Sequence, residues 1–392
     1  MNIPKVPGLP VIGHSVPFQN NALNFTSKMQ KKYGDIFEIS LLNEKFVVIL
    51  DPISTKEIFL DKDNNFSSKE GWSFTLGPTF ENGLMLRDFD DHKYHRSLLQ
   101  DSFRHDAIHN YLYIIQPTID NWIKTLSESR NFNLYDSVKQ LMFDISLRLF
   151  FLDVKPDESK FLNKLFTDSI SSATSLLRWP LPFTKLKKGI EAREYLLDYF
   201  QEKAKLVNED TDKTLFAELV RTNKGDAGLS DFEIAEHMIF LLLAAHDTTT
   251  ITLTNSLYYL SQDEDYRNNV LNESLSVDHT DISSLKNGNF AEAMFKEAMR
   301  IYPPVPFSIR YVVDDIVVNG ATLKGGTYTT ISPLLLHHDE RYWNNPSNFD
   351  PLRFIDPSYH NDAYFPFAGG AHTCLGKFFA SYMYKNVVYK FV

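Results

Sequence analysis

Cys374 is the only cysteine in the chain, and it sits in the run Phe367-Ala368-Gly369-Gly370-Ala371-His372-Thr373-Cys374-Leu375-Gly376. Adjacent glycines permit a tight turn with positive φ. The segment that follows, Leu375 to Lys390, reads as helical. Its N-terminus would offer free N–H groups and a dipole that favour a thiolate. Thiolate is the form of cysteine that ligates metal. Taken alone, the residue reads more readily as a small buried hydrophobe.

Three further constellations carry chemistry. Ala244-Ala245-His246-Asp247-Thr248-Thr249-Thr250 places an acid and three hydroxyls inside the most apolar helical stretch of the chain. Buried polar groups need partners, and a local rule broken inside a core helix marks a functional site. The bland alternative is a solvated stripe. Glu297 and Arg300 are spaced i,i+3, which alone is an ordinary helix ion pair. His92 and Arg96 are spaced i,i+4 on one helix face, with His95 between them as a structural residue. Their bland reading is an exposed basic surface.

The elements that must position these residues are mostly helical. Ile3 to Phe18 is rich in Pro and Gly and reads as extended. Ile36 to Leu50 alternates and breaks at Asn43-Glu44-Lys45, the pattern of a hairpin. Asp91 to Glu128, Val138 to Phe151 and Glu191 to Lys205 read as amphipathic helices. Val207 to Leu229 is charged and includes a surface loop. Ser230 and Glu233 fit a capping box that opens a helix running to about Leu260, roughly 45 Å at 1.5 Å per residue. Its middle is apolar nearly all round, so it should be buried. A second helix, Asn289 to Ile301, is stopped by Pro303 and Pro304. Asn319-Gly320 predicts a type I′ hairpin between Ile316–Val318 and Ala321–Leu323. Trp343 to Pro366 has little periodicity and reads as an irregular meander. The fold class is mainly α with smaller β portions (α+β).

In this order the motifs resemble the cytochrome P-450 family. Phe367, Gly370, Cys374 and Gly376 meet the pattern Phe-x-x-Gly-x-x-x-Cys-x-Gly, which is similar to that family's haem-binding loop. Glu297 and Arg300 precede Tyr302-Pro303-Pro304, as the family's Glu-x-x-Arg helix precedes a proline-rich turn. Arg353, in Phe349-Asp350-Pro351-Leu352-Arg353-Phe354, fits the third member of a buried triad with them. Asp247 and Thr248 resemble the acid-alcohol pair of the oxygen-activation motif. Ala245 stands where the family usually has Gly, and Leu352 where an acid is common. His92 and Arg96 resemble a His-x-x-x-Arg pair that binds a haem propionate. Arg310 and His372 match further propionate contacts.

The resemblance implies a single cytochrome P-450 domain over residues 1–392, with a long central helix over a haem. The cofactor would be haem b (iron protoporphyrin IX), held at iron by the Cys374 thiolate, which favours O–O cleavage. The implied reaction is that of a monooxygenase. One oxygen atom of O2 enters a C–H bond of a small apolar substrate, with electrons from a ferredoxin or flavoprotein reductase. Asp247 and Thr248 would handle protons. Lys377 and Lys385 could face an acidic electron donor. Trp72, Phe74, Phe80, Leu84 and Met85 could line a substrate pocket or simply pack a surface loop. The family continues past the cysteine helix into pocket-lining strands, so the chain reads as C-terminally truncated. Two rivals stay open: a peroxide-using haem-thiolate enzyme, which would typically lack the Asp247-Thr248 pair, and a non-catalytic haem or ligand-binding protein.

Bulk properties exclude other classes. The 392 residues carry a formal net charge of −10, which argues against nucleic acid as the main partner. The longest apolar run, Met238 to Ala245, is far below the ~18–20 residues of a membrane span. Met1 to Phe18 has no basic-then-apolar signal pattern. The expectation is a soluble cytoplasmic protein without an intrachain disulfide.

Overall fold

The structure, a computed structural model, describes residues 3–392 except 42–43, 152–153, 174, 176–177, 209–210, 223–227 and 357–360. In chain order the elements begin with α1 (Ser15–Tyr33), β1 (Ile36–Leu41), β2 (Glu44–Ile49), α2 (Pro52–Leu60), β3 (Phe66–Ser67) and α3 (Ser68–Phe80). Next come α4 (Phe89–Gln100), α5 (His105–Glu128), α6 (Leu134–Phe151), α7 (Pro156–Ala173), α8 (Lys185–Ala204), α9 (Leu215–Thr222) and α10 (Asp231–Gln262). Then follow α11 (Glu264–Ser274), α12 (Ile282–Leu285), α13 (Asn289–Ile301), β4 (Ser308–Val312), β5 (Ile316–Val318), β6 (Ala321–Leu323) and β7 (Tyr328–Ile331). The last are α14 (Pro333–Leu336) and α15 (Lys377–Phe391).

The chain divides into two compact units. The first comprises Met1–Trp72 and Lys296–Cys374. Its sheet runs β1-β2-β7-β4-β3, with β2 and β7 parallel and the other pairs antiparallel. The alternation of Ile36 to Leu50 becomes the antiparallel pair β1–β2, and Asn43 of its turn lies outside the described residues. β5 and β6 pair separately, with Asn319 at φ 46 and Gly320 at φ 77 in their turn. Two positive φ values are what a type I′ turn demands. Val47, Ile49, Ile58, Phe59, Phe66 and Ile331 belong to the core beneath the sheet.

The second unit comprises Ser73–Phe295 and Leu375–Val392 and is helical. α10 runs through it, packed on α6, α8 and α15. Its start is the capping box read from sequence: Glu233 donates its N–H to Ser230 Oγ, and the Ser230 N–H donates to the Glu233 carboxylate. Such caps contribute about 1 kcal/mol.

Some expectations require correction. Ser15 to Phe18 is helix rather than extended chain. Asp91 to Glu128 is two helices, because Arg104 is extended at ψ 163. The charged stretch from Val207 to Leu229 also contains α9, which the sequence reading did not mark and whose Leu215, Phe216 and Leu219 are buried. Periodicity is hard to see in a segment only eight residues long. Trp72, Phe74 and Phe80 belong to helix α3 rather than a loop. Among the described residues, no helix is long and apolar enough to cross a membrane.

Candidate active site

The first unit builds the cysteine loop against α2. Gly370 has φ 61, and a Cβ there would lie 1.8 Å from the Phe59 carbonyl oxygen. Only glycine tolerates both conditions. Ala368 also takes positive φ, at 56°. The Cys374 N–H donates to the Phe367 carbonyl at 3.1 Å, and Thr373 Oγ1 donates to the Gly370 carbonyl at 2.8 Å. The result is a closed turn that leaves Cys374 exposed and Phe367 and His372 half-buried. Phe59 serves two candidates at once. Its backbone meets Gly370, and the buried Arg310 guanidinium lies 5.8 Å from its ring centroid. Arg310 Nη1 also donates to the Ile309 carbonyl at 2.8 Å.

The same unit holds the carboxylate-guanidinium group. Glu297 and Arg300 are fully buried and bonded through two contacts of 2.7 Å, Nε to Oε2 and Nη2 to Oε1. Arg353 Nε lies 3.4 Å from Glu297 Oε1. The Asp350 N–H donates to Glu297 at 2.8 Å, and Arg300 Nη1 donates to the carbonyls of His337 and Pro346, both at 2.8 Å. Burial pushes the Glu297 carboxyl up from its ordinary range, against the pull of Arg300, Asp350 and Arg353. A buried pair persists only when its remaining donors and acceptors are met, and here the carbonyls of His337, Pro346 and Asn348 and the Asp350 N–H meet them.

His337, which sequence reasoning passed over, completes this cluster. Its Nε2 accepts from the Phe365 N–H at 3.0 Å, so Nδ1 is the protonated nitrogen and donates to the Arg300 carbonyl at 3.2 Å. Burial holds its pKa down at about 3. Trp343 closes the group, with the Arg300 guanidinium 5.1 Å from its ring centroid. A histidine that caps the four-residue helix α14 has no periodic signal by which to find it.

The second unit carries the acid and alcohol of α10. Asp247 Oδ1 lies 2.8 Å from His246 Nδ1. That hydrogen bond holds the Asp247 carboxyl below its usual range, with a smaller pull from Lys139. Thr248 Oγ1 donates to the Ala244 carbonyl at 2.7 Å, and Thr250 Oγ1 to the His246 carbonyl at 2.8 Å. Ala244 and Ala245 are exposed although Leu242, His246, Thr249 and Thr250 around them are buried. A helix with buried residues along its whole length thus bares Ala244 and Ala245 beside the acid and alcohol.

On α4, His92 is buried and Arg96 half-buried, so this face is not the exposed basic surface of the bland reading. His95 is buried too and meets His237 of α10, with Nδ1 to Nε2 at 3.0 Å. Burial lowers both pKa values, that of His237 to about 3. Gly376 precedes α15 as its N-cap residue. Lys385 is corrected: it is buried, donates to the Leu285 carbonyl at 3.1 Å and pairs with Glu292, so it faces no partner protein. Phe80 and Leu84 are likewise buried, while Phe74 is exposed.

Residues 4–392 match the family profile described as Cytochrome P450. Cytochrome P450 136 of Mycobacterium tuberculosis is 29% identical over 98% of this chain and 80% of its own length. Lanosterol 14-alpha demethylase of Bos taurus is 24% identical, over 97% and 79% respectively. Among solved structures, the retinoic acid-bound cyanobacterial CYP120A1 superimposes with a TM-score of 0.87 at 25% identity, covering 98% of this chain and 90% of that one.

Proposed function

This chain belongs to the cytochrome P450 family and is a haem b-dependent, haem-thiolate monooxygenase; we propose that it inserts one oxygen atom of O2 into a C–H bond of an apolar organic substrate. Electrons would come from a ferredoxin or flavoprotein reductase. The observation that carries this reading is the exposed Cys374 thiol, presented by a loop whose Gly370 admits no side chain.

The residues fit the cofactor. Cys374 offers the thiolate for iron, and Phe367, Gly370 and Gly376 shape the loop around it. In the first unit Arg310 and His372, and in the second His92 and Arg96, carry cationic or hydrogen-bonding groups of the kind that bind carboxylates. Ala244 and Ala245 leave a bare, small-residue surface on α10. When bound, haem would supply the iron at which O2 is reduced and cleaved, chemistry that a thiolate ligand promotes.

The chain's own contribution is shape and proton handling. Asp247 takes a proton from solvent and relays it to Thr248, whose Oγ1 accepts it as the hydroxyl releases its own. The Ala244 carbonyl fixes that hydroxyl in place. The buried Glu297-Arg300-Arg353 group keeps the meander in register rather than reacting. The Asp247-Thr248 pair favours an O2-using enzyme over a peroxide-using one. The lanosterol and retinoic acid in the names of two relatives put isoprenoid-derived compounds first in a substrate panel, ahead of fatty acids.

The test is turnover with ferredoxin and flavoprotein reductases across that panel, following product and peroxide per electron. Thr248→Ala should keep its haem but lose product roughly a hundredfold, with electrons appearing as peroxide. Unchanged coupling in that variant would contradict the role of Thr248. A haem-loaded wild type that oxidises nothing in the panel with either donor would contradict the reaction proposed.

A further inference from the structure

His246 has no part in the pair as read from the sequence, yet it makes the closest contact to Asp247. Side chains at neighbouring helix positions point about 100° apart, so the 2.8 Å contact between His246 Nδ1 and Asp247 Oδ1 does not follow from helical spacing. The packing around the ring accounts for it. The imidazole is buried and edge-on to Phe166 of α7 at 5.6 Å and to Phe143 of α6 at 6.4 Å, with interplanar angles of 88° and 84°. Two aromatic faces fix the ring plane and turn Nδ1 toward its neighbour.

An ionised carboxylate only accepts hydrogen bonds, so Nδ1 must carry the proton in this contact. Donation to the charged form stabilises it, and Asp247 is held below its ordinary range with this hydrogen bond as the largest cause. The helix is tied at the same point by Thr250 Oγ1 on the His246 carbonyl. The carboxylate is therefore oriented by its neighbour, and its resting form is the ionised one that can accept a proton from solvent.

We propose that His246 is a positioning residue for proton delivery, aiming the Asp247 carboxylate so that protons reach Thr248 through one geometry. The inference rests on the reading of Asp247 and Thr248 as the proton-handling pair. Loss of an orienting partner of this kind costs on the order of 10- to 100-fold.

The experiment compares His246→Phe, His246→Asn, Asp247→Asn and the double variant His246→Phe/Asp247→Asn in the haem-loaded protein. Phe keeps the ring between Phe143 and Phe166 but removes the donor, whereas Asn keeps a donor near the Nδ1 position. His246→Phe should retain haem and substrate KM, lower kcat on the order of tenfold and enlarge the solvent isotope effect. His246→Asn should recover part of the loss. The double variant should be no slower than Asp247→Asn alone, because residues acting through one group are not additive. Independently of turnover, infrared spectra with 13C-labelled aspartate should show the band that Asp247→Asn removes titrating higher in His246→Phe. Equal losses from His246→Phe with and without Asp247, or an unmoved band, would mean the ring is only structural and would overturn the inference. If Asp247→Asn itself leaves turnover intact, the pair was misread and the inference falls with it.

Discussion

Full burial keeps the His337 imidazole neutral, and its hydrogen bonds fix the tautomer, since Nε2 already accepts from Phe365. A second proton would face that N–H donor. The folded pKa near 3 is below the unfolded value of about 6.5. The unfolded chain therefore binds the proton first, and stability falls as pH drops below about 6.5. Between pH 7 and pH 5 the loss from this residue is about 2 kcal/mol. Denaturant unfolding across that range should show a shallower pH slope for His337→Gln than for wild type, and equal slopes would contradict the neutral assignment. Residue chemistry was legible in the sequence where it came in spaced sets, as at the ion pair of Glu297 with Arg300. His337, His237 and Phe59 were not legible, because their partners lie far away in the chain and a single buried histidine or phenylalanine has no local signature.

At the scale of elements, the cysteine loop depends on α2 as much as on its own glycines. Gly370→Ala should force the loop off Phe59, combining φ strain of about 1–2 kcal/mol with a backbone clash. Haem loading, read as Soret absorbance per protein, should drop severalfold. Gly320→Ala is the control, since φ is 77° there but nothing lies within 4 Å of the added Cβ. It carries the strain without the clash and should load haem normally. Equal loading in both variants would mean the loop does not require the approach to Phe59. The elements legible from sequence had strong local signals: the capping box of α10, the prolines after α13 and the Asn-Gly turn of β5–β6. α9 was hidden by its brevity, and the break at Arg104 by unbroken amphipathicity on both sides. The tightness of the Gly370 contact could not be read, because it depends on a residue more than three hundred positions earlier.

Across the whole molecule, the α+β class and the order of the motifs were legible because family, fold and motifs agree over nearly the full chain. The division into a sheet-bearing and a helical unit was not, since each unit is assembled from segments distant in sequence. The central claim is that Cys374 ligates the haem iron. The direct measurement is the reduced carbon monoxide difference spectrum of the haem-loaded protein, wild type beside Cys374→Ser. The account predicts the strongly red-shifted Soret band of a thiolate trans to carbon monoxide in wild type, lost in the variant. The same band in both proteins, or a histidine-type band in wild type, would contradict it.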